Sequence, residues 1–240
     1  MYQKSIQTVR GSIFPIFQFS PQGCGVLGTG FFISDQGHFL TAAHVIRALP
    51  PNAQLGYMGN VPHAGKLANR FIPITVLQND PSRDLAMGQV KQGALPPLKL
   101  AGASANLGQS IVLCGYPLAI LQHHNSIHPT KKVVNTFIDV SNTRQYWQPT
   151  VLIDAMPKNG FMNKSFHSFL TQDASLNGMS GAPIFDLKGE VVGVASANLT
   201  RQIPRPNGIP LTIENGVGID LVEIQAFLPK VLVPAVISTP

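Results

Sequence analysis

The chain is predicted to be all-β, and three observations carry that expectation. Glycine (22) and proline (20) punctuate the 240 residues, so the backbone turns often. Short apolar runs separated by turn residues recur along most of the sequence, at lengths suited to strands. Only residues 222–228 have convincing helical character, and Pro229 ends that helix. Two units of about 100 residues each fit this pattern, a size ordinary for small barrels.

Gly30-Phe31-Phe32-Ile33-Ser34 reads as a strand, Asp35-Gln36-Gly37 as a turn and Phe39-Leu40-Thr41-Ala42 as the returning partner. Residues 70–77 form another strand, and residues 85–90 a third after the polar turn Asn79-Asp80-Pro81-Ser82. Residues 91–110, rich in Gly, Ala, Pro and Ser, read as the connector between a first unit (1–100) and a second (101–240). Ile111-Val112-Leu113-Cys114 is a buried strand ending at Gly115-Tyr116-Pro117. Ile184-Phe185-Asp186 and residues 190–195 flank Leu187-Lys188-Gly189 as a hairpin, and residues 215–221 are the last strand. No internal repeat or low-complexity segment is present.

Composition excludes several function classes. With 44% apolar and 12% charged residues the chain is not a disordered tail. Two cysteines exclude a disulfide scaffold and a multi-cysteine zinc domain; Cys24 and Cys114 read as free thiols, which lean towards a reducing, cytoplasmic compartment. No apolar run is long enough to cross a bilayer, and the first twenty residues lack the apolar stretch of a secretory signal. A net charge of +6 invites a nucleic-acid partner, but the cations are scattered and Lys131-Lys132 is the sole adjacent pair, so a solvated surface is expected. His124 and His128 are four apart beside His123, yet Pro129 and the neighbouring Asn and Ser argue for a loop, so no metal is expected. Tyr146, Trp147, Phe161, Phe166 and Phe169 lie among polar residues; they read either as a regulatory or substrate-contacting loop or as ordinary packing.

Three short segments could carry chemistry: Thr41-Ala42-Ala43-His44, Arg83-Asp84-Leu85-Ala86, and Asn177-Gly178-Met179-Ser180-Gly181-Ala182-Pro183. Each alone has a structural explanation, since a lone His, a turn Asp and a Gly-X-Ser-Gly are all common. Together they supply an alcohol, an imidazole and a carboxylate, the set required for acyl transfer by a serine. Their order is His, Asp, Ser, with spacings of 84 − 44 = 40 and 180 − 84 = 96. Asp35, Asp80 and His38 are rivals, but only Asp84 directly precedes Leu-Ala, and His38 lies before the Thr-Ala-Ala run.

These segments resemble the signatures of the chymotrypsin-like serine proteases, closest to the high-temperature-requirement (HtrA) branch without its PDZ domain. Gly28-Thr29-Gly30-Phe31-Phe32-Ile33-Ser34, Asp173-Ala174-Ser175-Leu176-Asn177 and Gly189-Glu190-Val191-Val192-Gly193-Val194 resemble further segments of that branch, while residues 118–172 match poorly. The resemblance implies two antiparallel six-stranded β-barrels, a short C-terminal helix, and peptide hydrolysis in the cleft between the barrels. It implies Ser180 as nucleophile, His44 as base and then acid, Asp84 as the orienting acid, and the N–H groups of Gly178 and Ser180 as the oxyanion hole. It places the base of the primary pocket near Ala174 and Ser175, with walls from Ser196, Ala197 and Asn198 and from Gly216 to Gly218. No charge lies there, although Glu214 is near, so a small or medium neutral residue is expected before the scissile bond. The implied partner is a protein or peptide substrate, with no cofactor and no metal; monomer and trimer both stay open. Met179 replaces an aspartate that secreted members pair with a new N-terminus, so no activation by N-terminal cleavage is expected. Ala182 stands where the family usually has glycine. The rival expectation is a silent homologue that binds a partner through the cleft.

Overall fold

The computed structural model describes residues 2–20, 23–46, 52–63, 66–91, 96–118, 144–159, 165–206, 208–229 and 232. Seven strands form the first sheet: β1 (Ile13–Ser20), β2 (Gly23–Phe32), β3 (His38–Ala42), β4 (Gln54–His63), β5 (Lys66–Pro73), β6 (Thr75–Asp80) and β7 (Leu85–Gln89), in the order β5-β4-β1-β2-β3-β7-β6. Six more close into a barrel: β8 (Ser110–Gly115), β9 (Tyr146–Met156), β10 (Ser168–Thr171), β11 (Pro183–Phe185), β12 (Val191–Ile203) and β13 (Leu211–Asp220), in the order β10-β13-β12-β11-β8-β9. Helix α1 (Tyr2–Val9) precedes the first sheet and α2 (Leu221–Phe227) follows the barrel. A closed six-stranded barrel thus lies beside a strongly curled half-barrel, with a short C-terminal helix.

The half-barrel departs from the expected six closed strands, and one corner explains it. The single strand expected over residues 70–77 is split at Ile74 into β5 and β6, which lie at opposite edges of the sheet. Pro73 has no N–H for the ladder, and the Ile74 N–H turns instead to the Leu55 carbonyl at 3.1 Å. Because the two sheet edges are chain neighbours, the sheet must curl back on itself.

Other elements went unanticipated. Helix α1 was not expected beside α2. It is held by docking: Ser5 and Val9, four apart, are buried, and the Ser5 hydroxyl donates to the Leu187 carbonyl at 2.8 Å. Strand β1 carries Pro15, which argues against a central strand; but β4 joins β1 only from Phe17 to Phe19, so Pro15 has a partner on one side alone. Strands β4, β9 and β10 were likewise not anticipated. Phe166 and Phe169 are buried in the core and Trp147 meets Phe185 edge-on, so these aromatics of the poorly matched stretch pack; Phe161 lies outside the described residues.

A single large apolar cluster crosses between the sheets, joining Val9, Phe31, Leu40 and Met87 to Val112, Phe169, Phe185 and Val194. Part of the expected connector takes part: Leu100 bridges to Val191 and the Ala101 N–H bonds the Val191 carbonyl at 2.9 Å. The two sheets therefore hold a fixed relation, which any site shared between them requires. Among the described residues no helix is long and apolar enough to cross a membrane.

Candidate active site

His44 sits on a short 3₁₀ turn (Ala43–Ile46) after β3, and Asp84 ends the turn before β7. Because β3 and β7 pair in register, Ala42 against Leu85, the residues just beyond them are neighbours. The Ala43 N–H bonds the Asp84 carbonyl at 3.0 Å. Both Asp84 carboxylate oxygens lie 2.9 Å from His44 Nδ1, and Oδ1 also accepts the His44 main-chain N–H at 3.0 Å. With Nδ1–H donated to a carboxylate, the lone pair of a neutral imidazole is left on Nε2.

The Ser196 hydroxyl, from β12 of the barrel, donates to Asp84 Oδ2 at 2.6 Å. The β12–β13 register shifts between Ala195 and Ala197, and this bulge gives Ser196 its aim. Burial pushes the Asp84 carboxyl up, but the hydrogen bonds from His44 and Ser196 outweigh it and hold the group below its ordinary value.

Ser180 reaches the same place through β2. The Thr29 N–H bonds the Ser180 carbonyl at 2.9 Å. A Cβ on Gly28 would lie 2.6 Å from Val45 Cγ2 and 2.8 Å from the Ser180 carbonyl oxygen, so the turn carrying His44 and the turn carrying Ser180 meet at this glycine. No hydrogen bond between the Ser180 hydroxyl and His44 is found among the described residues.

The serine turn is fixed by its backbone. Gly178 and Gly181 have φ of +95° and +82°, a region L side chains avoid, and a Cβ on Gly181 would fall 2.1 Å from Thr41 Oγ1. The Asn177 carbonyl accepts the Leu118 N–H at 2.7 Å. In a planar trans peptide the N–H points opposite to the carbonyl, so the Gly178 N–H faces away from Leu118. Neither it nor the Ser180 N–H finds an acceptor among the described residues.

Thr29, part of a resembling segment but given no role there, ties this region together. Its hydroxyl donates to the Gly178 carbonyl at 3.0 Å and accepts the Tyr116 N–H at 3.0 Å, while its carbonyl accepts the Thr41 hydroxyl at 2.7 Å. The sole signal was a hydroxyl between two glycines, Gly28-Thr29-Gly30, in an apolar strand. Met179 is buried in the core. The Ala182 methyl faces Gly115, whose missing side chain leaves it room.

The residues assigned to the primary pocket separate into two groups. The Ser175 N–H and hydroxyl both donate to Asn198 Oδ1 at 2.9 Å, and Asn198 Nδ2 returns a bond to the Ser175 carbonyl at 2.7 Å. Gly216 joins them through its N–H to the Asp173 carbonyl at 3.1 Å, and the Ala174 carbonyl is held by Gln148 at 2.9 Å. The remaining residues make other contacts. Ser196 is turned to Asp84, Ala197 packs against Met156, Leu170 and Val217, and Gly218 lies over the Phe169 ring.

Among the described residues no group of His, Cys, Asp and Glu could hold a metal ion; His123, His124 and His128 lie outside them. Cys114 is a buried free thiol, pushed well above its ordinary value by burial, and the Cys24 side chain lies outside the described residues.

The pattern of the trypsin-like peptidase domain matches residues 28–194. The mitochondrial serine protease HTRA2 of Drosophila pseudoobscura pseudoobscura is 30% identical over 178 residues, 73% of this chain and 35% of that protein. A probable periplasmic DegP-like serine endoprotease of Chlamydia pneumoniae is 27% identical over 177 residues, 72% of this chain and 29% of that protein. The chain spans about a third of the length of these curated relatives. Among solved structures, the active form of the Rv3671c protease from M. tuberculosis gives a TM-score of 0.61 at 21% identity, covering 98% of this chain and 85% of that one. Deg5 gives 0.63 at 18% identity, covering 95% and 92%. These structural likenesses are of fold.

Proposed function

Since the chain belongs to the trypsin-like peptidase family, with HtrA and DegP serine proteases among its homologues, we propose that it is a serine endopeptidase run by Ser180, His44 and Asp84. The observation that carries this reading is the His44–Asp84 pair, with Nδ1 2.9 Å from both carboxylate oxygens beside the turn bearing Ser180. In this reading residues 1–100 supply His44 and Asp84, and residues 101–240 supply Ser180.

Ser180 Oγ attacks the scissile carbonyl as its proton passes to His44 Nε2. The negative charge moves to the carbonyl oxygen, where the Gly178 and Ser180 N–H groups receive it. The tetrahedral adduct collapses when His44 returns the proton to the leaving amine, which departs and leaves Ser180 acylated. Water then attacks the ester, its proton goes to His44, and the carboxylic product leaves as Ser180 regains its hydrogen. Asp84 stays ionised throughout, holding the imidazole and stabilising its cation. The Ser180–His44 bond forms as substrate enters, since such bonds tighten on complex formation.

Ala174, Ser175, Asn198 and Gly216, as the proposed pocket residues, bring no charge, and Asn198 and Ser175 bond to each other. A small or medium neutral side chain fits there; a lysine or arginine would be an unpaired cation. The test is a peptide library digested by the wild-type chain and by Ser180→Ala. Cleavage after small neutral residues, lost in Ser180→Ala, supports the proposal; strong cleavage after Arg or Lys overturns the pocket assignment.

A second reading is a silent homologue that binds protein through the cleft, and the missing Ser180–His44 bond favours it. Under that reading neither chain cleaves any peptide.

A further inference from the structure

Glu223, on α2, has no part in the proposed chemistry, yet it is a nearly inaccessible carboxylate, 1% exposed. It is paired on every side. Arg83 Nε lies 3.0 Å from Oε2, while Lys158 Nζ at 3.0 Å, His167 Nδ1 at 2.8 Å and the His167 N–H at 3.0 Å meet Oε1. Burial alone would raise its pKa; the bonds from His167, Lys158 and Arg83 overcome that and bring it down to about 2. Losing one partner of such a buried cluster leaves the remaining charges uncompensated, so Glu223 couples α2 to the segments that carry Arg83, Lys158 and His167.

What it holds is the residue before Asp84. Arg83 reaches Glu223 with Nε and Asp80 with Nη1, and Asp80 Oδ1 in turn accepts the N–H groups of Ser82 at 3.0 Å and Arg83 at 3.2 Å. The next residue, Asp84, has φ of +55°, in the left-handed region that aspartate and asparagine enter more readily than other side chains but still at a cost. Two more ties bind the same turn and its strand to the second half of the molecule. Gln78 Nε2 donates to the Phe227 carbonyl at 3.1 Å, and the Ser165 hydroxyl donates to the Ser82 carbonyl. Helix α2 thus grips the β6–β7 segment at Glu223 and at Phe227, and Ser196 meets the Asp84 carboxylate from the same half.

We infer that Glu223, acting through Arg83, is a positioning residue for Asp84, fixing that carboxylate between His44 and Ser196. The inference rests on the proposed roles of His44, Asp84 and Ser180. Helix α2 then contributes to turnover without touching substrate.

The test compares Glu223→Gln with the wild-type chain in two readouts. The substitution keeps the shape and removes the charge. In peptide cleavage, kcat should fall about ten- to a hundredfold while KM stays within about twofold, as for a misplaced reacting group. In a Ser180→Ala background, the low-field proton resonance of the His44 Nδ1–H···Asp84 bond should shift or broaden. Unchanged kcat with an unchanged resonance, even beside a lower Tm, overturns the inference and leaves Glu223 a purely structural residue. If Glu223→Gln does not fold, Arg83→Gln at the more exposed end of the pair takes its place with the same readouts. If the wild-type chain neither cleaves peptides nor labels at Ser180, the protease reading fails, and the resonance alone decides whether Glu223 positions Asp84.

Discussion

The half-barrel and the barrel fix their parts of the site by different means. In the half-barrel, His44 and Asp84 meet side chain to side chain, through charge and hydrogen bonds. In the barrel, the serine turn is shaped mostly by backbone: two glycines at positive φ, the Leu118–Asn177 bond and the Thr29 N–H on the Ser180 carbonyl, with one side-chain tie from the Thr29 hydroxyl to Gly178. The first arrangement should respond to changes of charge, the second to changes of backbone freedom.

Asp84→Asn should have the largest effect on turnover, a fall of about ten-thousandfold in kcat with little change in folding, because an amide favours the wrong imidazole tautomer. Steady-state kinetics beside circular dichroism checks both halves of that statement. Gly181→Ala should break the serine turn, since the methyl would meet Thr41 Oγ1 and the Thr29 carbonyl in a φ region closed to alanine. A loss of roughly 3 kcal/mol or more in denaturant unfolding is expected; a stability equal to the wild type would show the turn is less constrained than these contacts require.

Thr29→Val sharpens the comparison, because it keeps the shape and deletes one hydroxyl. The buried Tyr116 N–H loses its acceptor, at a cost of about 1–3 kcal/mol, and the Gly178 carbonyl loses its donor. If the turn depends on that bond, kcat should fall about a hundredfold, the size expected when an oxyanion donor is misaligned. A drop in stability with full kcat would separate the fold of the turn from its chemistry.

Acid stability probes the charged half of the comparison. The Glu223 carboxyl is brought from 4.5 to about 2 in the folded chain, and Asp84 is lowered too. Groups with depressed folded values stabilise above their unfolded pKa and lose that contribution as protons are taken up. Tm should therefore be level above about pH 5 and decline below 4.5, and Glu223→Gln should have a shallower decline. Calorimetry across pH reads this directly.

The same contrast governs what was legible in the sequence. His44, Asp84 and Ser180 lie in short segments whose neighbours are as telling as the residues themselves, so they could be singled out, as could β2, β3, β7, β8 and α2 from their apolar runs. Ser196 and Thr29 could not be read as supports: each is one hydroxyl in a strand, and its role depends on a bulge or a partner about a hundred residues or more away. Helix α1 was hidden because docking on the Leu187 turn, rather than its own periodicity, holds it. Nothing in the sequence marks Glu223 beyond its place in a short helical stretch; only the fold brings Arg83, Lys158 and His167 around it.

The most direct test of the proposed chemistry is the intact mass of the chain after exposure to a fluorophosphonate probe. A single adduct on Ser180, absent in Ser180→Ala and formed far more slowly in Asp84→Asn, is the predicted result. An unmodified wild-type chain, or equal labelling of Ser180→Ala, would contradict it.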